Sequence, residues 1–181
     1  MPDRLHFTDS DAANVLIAAD PMALLVGFAL DQQVTVQKAF SGPLAIVQRI
    51  GAIDAATLAD ADLEAVFREK PAIHRYPGSM AQRVHELAVH VRDRYDGDAA
   101  RVWTGAADGA ELRANLAALP GFGDMKVKSL GAVLAKRYDI AAAAALVPSH
   151  PTLGDVDSAQ ALADYQAAKR LHKAEWNRVK V

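Results

Sequence analysis

The residues with the clearest chemical meaning lie between Leu116 and Leu130, which read LAALPGFGDMKVKSL. Gly121 and Gly123 are two residues apart, which allows a tight turn whose backbone N–H groups point outward. Because a helix is predicted to begin at Asp124, the free N–H groups and the positive end of its dipole would meet at one point. Such a point suits an anion, for example a backbone phosphate. An ordinary connection between two helices, with a glycine cap, is the alternative interpretation.

Side chains around this turn fit an anion site. Lys126 and Lys128 lie within the next helical turn and would add positive charge beside the N–H groups. Phe122 belongs to an apolar series that would pack the turn and both helices onto a core, together with Leu116, Leu119, Val127 and Leu130. We therefore predict a phosphate-binding hairpin formed by Gly121, Phe122, Gly123, Lys126 and Lys128.

The elements that position this hairpin are predicted to be helices, which makes the fold class all-α. Alanine and leucine are abundant, and the alternating β-branched and aromatic runs typical of strands are nearly absent. Residues 139–154 are ambiguous, because a run of five alanines is followed by two prolines. The other predicted helices cover about residues 9–18, 21–30, 63–69, 79–95, 111–119, 124–138 and 158–178, with a further one from about residue 34.

Caps and turns set the boundaries of these helices. Thr8 or Asp9 can cap the first helix, and Asp20–Pro21 is typical of a helix start. Gly42–Pro43 predicts a turn or kink inside the third helix. Ser79 is the predicted cap of the long helix that follows the loop AIHRYPG.

Composition excludes several function classes. The chain has 181 residues, which suggests one compact unit or two small lobes that share a core, and 51% of them are apolar, which excludes a disordered chain. It has no cysteine, so disulfides, thiol catalysis, zinc–thiolate sites and iron–sulfur clusters are excluded. The longest apolar run, residues 21–30, is too short to span a bilayer, and the N-terminus has no signal-peptide pattern. We expect a soluble cytoplasmic protein without a membrane partner.

The charges are distributed unevenly along the chain. Residues 1–65 carry 3 basic and 9 acidic side chains, a net charge of −6, whereas residues 66–181 carry 17 and 13, a net charge of +4. The overall charge of −2 argues against a nucleic-acid binder. The uneven distribution nevertheless places any polyanion site in the later two thirds of the chain.

Two motifs resemble the helix-hairpin-helix (HhH-GPD) DNA glycosylase superfamily, which includes endonuclease III, the mismatched-adenine glycosylases and the alkylpurine glycosylases. LPGFGDMKVKSL is similar to the pattern Leu-Pro-Gly-x-Gly-x-x-x-Ala, with Val127 in the alanine place. About ninety residues upstream, LLVGFALDQQVTVQKAF resembles the family's early buried helix followed by Gln-Gln-x-Ser/Thr, most closely in the alkylpurine branch. DQQV, EKPAIHRYPGSMA and DAARVWTGAADG resemble a bacterial group of the same superfamily. The resemblance covers about residues 20–138.

The resemblance implies a fold and an activity. Residues 1–181 would form a single unit of two helical lobes, with the helix-hairpin-helix motif at 111–138 beside an interlobe cleft. One lobe would contain about residues 20–119, and the other the N-terminal helix with about residues 139–181. Damaged bases would rotate out of double-stranded DNA into the cleft.

The resemblance also implies site residues outside the hairpin. Gln33 would lie at the cleft floor or fill the vacated base stack, and Gln32, Gln33 and Met125 would line the base pocket. The loop with His74, Arg75 and Tyr76 lies where family members place a second DNA-probing loop. A simple connector with Tyr76 packed inward is the alternative for this loop.

Two departures from the family pattern limit the chemistry. Met125 occupies the position of the lysine that forms a Schiff base in some members, so strand nicking by that route is not expected. The iron–sulfur cluster of the endonuclease III branch is excluded because cysteine is absent. No cofactor and no protein-bound metal site are therefore expected, although a monovalent cation could bind at the hairpin.

The position of the catalytic aspartate is the third departure. The family spacing from Met125 ends among alanines near residue 145. Asp157 is the preferred candidate because it precedes the final predicted helix, whose N-terminus would favour an anion. Asp155 and Asp139 are the alternatives, and Asp157 could equally be only a helix cap.

These inferences predict a monomeric, monofunctional DNA N-glycosylase that removes a damaged base from duplex DNA in base excision repair. A catalytically inactive module that binds damaged or bent DNA is one alternative. A helical protein-interaction domain, consistent with the isoelectric point near 6.3, is the other.

Overall fold

The computed structural model describes residues 1–180, and these residues form ten α-helices and two short 3-10 helices without any β-strand. The predicted all-α class is confirmed. The 3-10 helices cover Ala141–Leu146 and Leu153–Asp155. The α-helices are α1 (Asp11–Ala19), α2 (Pro21–Leu30), α3 (Val36–Ile50), α4 (Ala55–Asp60), α5 (Leu63–Arg68), α6 (Pro77–Tyr95), α7 (Arg101–Thr104), α8 (Gly109–Ala117), α9 (Asp124–Arg137) and α10 (Ala159–Val179).

Side-chain caps explain the first two helix starts. Asp20 accepts hydrogen bonds from the backbone of Met22 and Ala23, and Pro21 occupies the first position of α2, as predicted. The predicted cap of α1 is wrong: Ser10 caps this helix. The Thr8 hydroxyl is instead buried and hydrogen-bonded to Ser10 and Asn14.

Helices α2 and α3 pack closely because glycine lies where they meet. A Cβ atom at Gly27 would be 2.3 Å from the ring of Phe40, and one at Gly42 would be 2.4 Å from Leu30. Helix α3 continues through Pro43, so a turn at that point is excluded. The contact between Leu30 and Gly42 fixes the last residue of α2 against α3. The candidate site begins at this end of α2.

Helices α4 and α5 support the long helix α6. Asp54 and Asp62 cap α4 and α5, and both helices pack against α6. The predicted start of α6 at Ser79 is wrong, since the helix begins at Pro77 after Tyr76 and has no side-chain cap. Proline at the first helical position is favourable there because it lacks only an N–H group that would be unbonded anyway.

The second half of the chain packs around α9. Both 3-10 helices contact α9, so the ambiguous residues 139–154 fold as short turns against this helix. Helix α8 contacts the first 3-10 helix, and α10 contacts the second. One hydrophobic core runs from Leu5 to Leu162 through both halves of the chain.

The apolar helices at the N-terminus belong to this core. Among residues 1–180, no single helix is long and apolar enough to cross a membrane. Only α1 and α2 taken together have the length and hydropathy that a membrane span needs, and the chain bends by 115° at their junction.

Candidate functional site

The PGFG turn between α8 and α9 is tight and packed on its inner side. Gly121 has a φ of 81°, which favours glycine, and the backbone N–H of Phe122 donates to the carbonyl of Leu119 over 3.1 Å. The predicted apolar series around the turn is buried, from Leu116 to Leu130. The turn is therefore held rigidly at the start of α9.

The N-terminus of α9 is open on its outer side. Gly123 is the N-cap and no side chain caps the helix, while a Cβ atom at Gly123 would have no neighbour within 4 Å. Gly123, Asp124 and Met125 are exposed, so an anion can reach the start of α9, where the first N–H groups have no partner within the helix.

An acidic side chain lies at this open end. Asp124 accepts a hydrogen bond from Lys128 with an Nζ–Oδ2 distance of 2.7 Å, and its carboxylate lies 3.6 Å from Arg113. The hydrogen bond from Lys128 lowers the pKa of Asp124, so this carboxylate is charged at neutral pH. Lys128, predicted to contact phosphate, is bonded to Asp124 and would have to exchange that partner for a phosphate.

Arg83 of α6 lies over the turn. A Cβ atom at Gly121 would be only 1.9 Å from Nη1 of Arg83. Arg83 was not among the predicted site residues, because it lies about forty residues before the turn and reaches it only through packing. The guanidinium brings a further positive charge to the hairpin.

Lys126 is turned inward, toward the end of α2. Its Nζ atom donates to the carbonyl oxygen of Ala29 over 3.2 Å and lies 5.8 Å from the ring centroid of Phe122. Burial lowers the pKa of Lys126, while nearby Asp31 opposes that shift. Met125, predicted to line a base pocket, is 75% exposed.

Asp31, at the C-terminal end of α2, is the carboxylate whose charge acts on Lys126. It caps the C-terminus of α2 and is half-buried. Burial raises the pKa of Asp31, and the positive charges of Lys169 and Lys126 oppose the increase. Tyr165 of α10 belongs to the same group, since burial and the charge of Asp31 both raise its pKa.

This group was not predicted from the sequence. One signal was present, because Asp31 directly follows the apolar run of residues 22–30 and directly precedes two glutamines. Gln32 and Gln33, the predicted pocket residues, follow Asp31 and are exposed, and Gln33 has a φ of 56°. The group therefore combines one carboxylate, two lysines and a phenol beside exposed amide side chains.

The predicted probing loop is tied to the same end of α2. His74 is 2% exposed, and its Nε2 atom lies 3.0 Å from the carbonyl oxygen of Leu30. Its Nδ1 atom accepts a hydrogen bond from the backbone N–H of Tyr76, so the proton is on Nε2 and the ring is neutral. Burial lowers the pKa of His74, which agrees with that state. His74 thus anchors the loop from inside.

The outer residues of this loop face solvent. Arg75 is exposed and lies 5.4 Å from the ring centroid of Tyr76, which is itself 42% exposed. The alternative in which Tyr76 packs inward is contradicted. Arg75 and Tyr76 can therefore reach a large ligand, whereas His74 cannot.

The three aspartates considered for catalysis lie in other settings. Asp157 is exposed, and Ser158, not Asp157, caps α10. Asp155 completes a capping box with Thr152; burial alone would raise its pKa, but hydrogen bonds from Lys136 and Thr152 lower it. Asp139 is exposed two residues after Arg137, where α9 ends, with a φ of 54°.

An open depression of about 520 Å³ runs along α6 beside Pro120, and most of the residues that line it are polar. Within residues 1–180, no group of three or more histidine, aspartate, glutamate or cysteine side chains is arranged to hold a metal ion.

Compared with known proteins, the chain matches no family model, no curated protein and no solved structure.

Proposed function

We propose that this chain binds duplex DNA through the α8–α9 hairpin and removes a damaged base without cutting the strand. The observation that carries the proposal is the open, uncapped start of α9 directly after a tight glycine turn. Backbone N–H groups and a helix dipole together bind phosphate oxygens without reading sequence. Arg83 lies against Gly121 of the turn and adds positive charge, and Lys128 would add a second charge on exchanging Asp124 for a phosphate.

The two-lobe arrangement with an interlobe cleft is part of this proposal. In support, α2 packs against both α3 and α6 in the first half, whereas α8 and both 3-10 helices pack against α9 in the second half. Lys126 joins the hairpin to Ala29 at the end of α2. The cleft would lie between this junction and the loop that exposes Arg75 and Tyr76.

The proposed reaction is hydrolysis of the N-glycosidic bond. The base leaves with the bonding electrons and is protonated, while water adds to C1′ of the sugar and loses a proton. A carboxylate that stays ionised near C1′ would stabilise the cationic transition state or activate the water. Asp157 was predicted for this role and lies exposed, whereas Asp31 is half-buried and is influenced by the charges of Lys126 and Lys169.

A non-catalytic DNA-binding module is the second candidate. The exposed position of Asp157 favours it, because a solvated carboxylate outside the proposed cleft offers little to a reaction inside it. Both candidates require the hairpin, so the hairpin is tested first.

The hairpin is tested by replacing Gly123 with valine. The space around its Cβ position is open and its φ of −82° is accessible to any residue, so the fold should be retained. The isopropyl group should block the N–H groups and weaken binding to every duplex by at least about tenfold, irrespective of lesion. Fluorescence anisotropy with labelled duplexes measures the affinity.

Ala56→Val, at an exposed position in α4, is the matched control and should bind like the parent. If Gly123→Val binds duplex DNA as tightly as this control, the hairpin is not the phosphate site.

A further inference from the structure

The outer half of α10 is an extension of the protein body with an unusual side-chain pattern. Only Leu162 of this helix is buried, and every residue from 167 to 180 is exposed. These fourteen residues contain five basic side chains and one acidic side chain, which gives a net charge of +4. The helix is continuous to Val179, so this charge is carried on a rigid arm.

One face of α10 passes from the body to the arm without interruption. Residues 162, 166, 169, 173, 176 and 180 are spaced alternately by four and three positions. At 100° per residue, all of them lie within about 40° of Leu162 around the helix axis. On the arm, this face consists of Lys169, Lys173, Trp176 and Lys180, which we call the lysine stripe.

The inner part of this face contacts the body beside the candidate site. Leu162 is 3% exposed, and the side chains of Gln166 and Gln37 exchange two hydrogen bonds of 3.0 and 2.7 Å. Lys169, one helical turn farther out, is close enough to Asp31 for its charge to influence that carboxylate. The lysine stripe therefore starts at the end of α2 and extends outward on the side of the helix that faces the body.

A second helix is a poor occupant for the lysine stripe. Alternating spacings of three and four are typical of a coiled-coil seam, but a stable seam needs apolar residues at those positions. Here three of the four side chains are lysines. Burying them against an apolar partner would cost desolvation energy without a compensating charge.

A polyanion fits the same surface. The lysines of the stripe span about 17 Å along the helix, a length over which a duplex presents many phosphate charges. The Nζ atom of Lys180 lies 5.3 Å from the ring centroid of Trp176, so the indole is flanked by positive charge. A flat aromatic ring between lysines can pack on sugar or base surfaces while the ammonium groups contact phosphates.

We propose that the lysine stripe is a second DNA-backbone contact, which binds the phosphates of duplex DNA that flank the segment held by the hairpin. The proposal rests on the proposed DNA-binding function and extends it to a separate element. The stripe is sequence-independent, since ammonium groups on phosphates carry no base information. It adds affinity and orients the duplex across the end of α2.

The first test compares two double variants of the full chain. Lys173→Ala/Lys180→Ala removes two charges from the lysine stripe. Arg170→Ala/Arg178→Ala removes two charges from the same arm at about 80° and 160° around the axis from Leu162, and is the matched control. All four side chains are exposed, so neither variant should lower the melting temperature. The stripe variant should reduce the slope of log affinity against log salt by about 2, and the control by clearly less.

The second test uses the two tryptophans. Trp103 is 5% exposed and Trp176 is 58% exposed, so acrylamide quenches mainly Trp176. Saturating duplex DNA should protect the parent from quenching, and Trp176→Phe should abolish this difference. The probe is an undamaged duplex of arbitrary sequence.

The outcomes separate this inference from the proposed function. If the parent binds duplex DNA through Gly123 but Trp176 stays equally quenchable, or if both double variants change the slope equally, the stripe is not a DNA contact. A stripe variant that loses self-association in sedimentation, with unchanged DNA binding, would assign the surface to a second copy of the chain and overturn the inference. If the parent binds no duplex, both proposals fail.

Discussion

In the proposed reaction, Asp31 is the half-buried alternative to Asp157 as the carboxylate that assists base release. A carboxylate held half-buried with a raised pKa is unfavourable for stability at neutral pH, and such groups are common at functional sites. Because the folded-state pKa exceeds the ordinary value of 3.8, this group favours folding at low pH and loses that contribution as the pH rises. Removing its charge should therefore leave the fold intact at neutral pH.

The role of the carboxylate is tested by two isosteric variants. Asp31→Asn should slow base release at least about 100-fold while DNA affinity is retained, because only the transition state needs the negative charge. Asp157→Asn, at the exposed position predicted from the sequence, is the comparison. Single-turnover rates at saturating protein measure both.

If Asp157→Asn shows the large loss and Asp31→Asn does not, the assignment from sequence holds and Asp31 has another role. Equal rates of base release in the parent and both variants would show that neither carboxylate takes part in catalysis.

At the level of single elements, the two hairpin glycines are present for different reasons. Gly121 needs its positive φ and lies against Arg83, whereas Gly123 has an ordinary backbone conformation in open space. Gly121→Ala should reduce the free energy of unfolding by about 1–3 kcal/mol. Gly123→Ala should reduce it by about 0.5 kcal/mol or less, as a change of N-cap residue. Urea denaturation measures both, and equal losses would contradict this description of the turn.

The loop that exposes Arg75 and Tyr76 depends on a neutral His74. Burial lowers the folded-state pKa of His74 below the ordinary 6.5, so its contribution to stability is complete above that pH and is lost as the pH falls. The melting temperature of the parent should therefore decrease on acidification below about 6.5, and less so in His74→Gln.

His90→Gln is the necessary companion variant, because burial also lowers the pKa of His90 on α6. A parent and a His74→Gln variant with the same pH dependence would show that the loop is not held by this ring.

At the scale of the whole molecule, local patterns predicted the elements well. Asp20–Pro21 and Asp62 mark helix starts because caps and first-turn prolines act over a few residues only. Helix α4 was missed, although Asp54 caps it as Asp62 caps α5, which has the same length and was predicted. The start of α6 was misplaced because Ser79 resembles a cap, although Pro77 already opens the helix.

The candidate site was only partly predictable for a different reason. The glycine turn is local, so its residues and its position before α9 could be derived from the sequence. Lys126 and Ala29, in contrast, are 97 residues apart in the chain and meet only through packing. The grouping of Asp31, Lys126 and Lys169 arises from such contacts and leaves no spacing in the sequence that a motif could reveal.

The most direct test of the account is release of free base from duplexes that each contain one damaged base, measured with the protein in excess. If the protein acts as proposed, the base of at least one duplex is released while the strand stays intact, and hot alkali then cleaves the strand at the abasic site. Borohydride should trap no covalent protein–DNA adduct, because Met125, at the position that the resemblance assigns to the Schiff-base lysine, has no amine. Strand cleavage with a trapped adduct that Lys126→Ala abolishes would contradict the proposed reaction, and binding of every duplex without release of any base would contradict catalysis altogether.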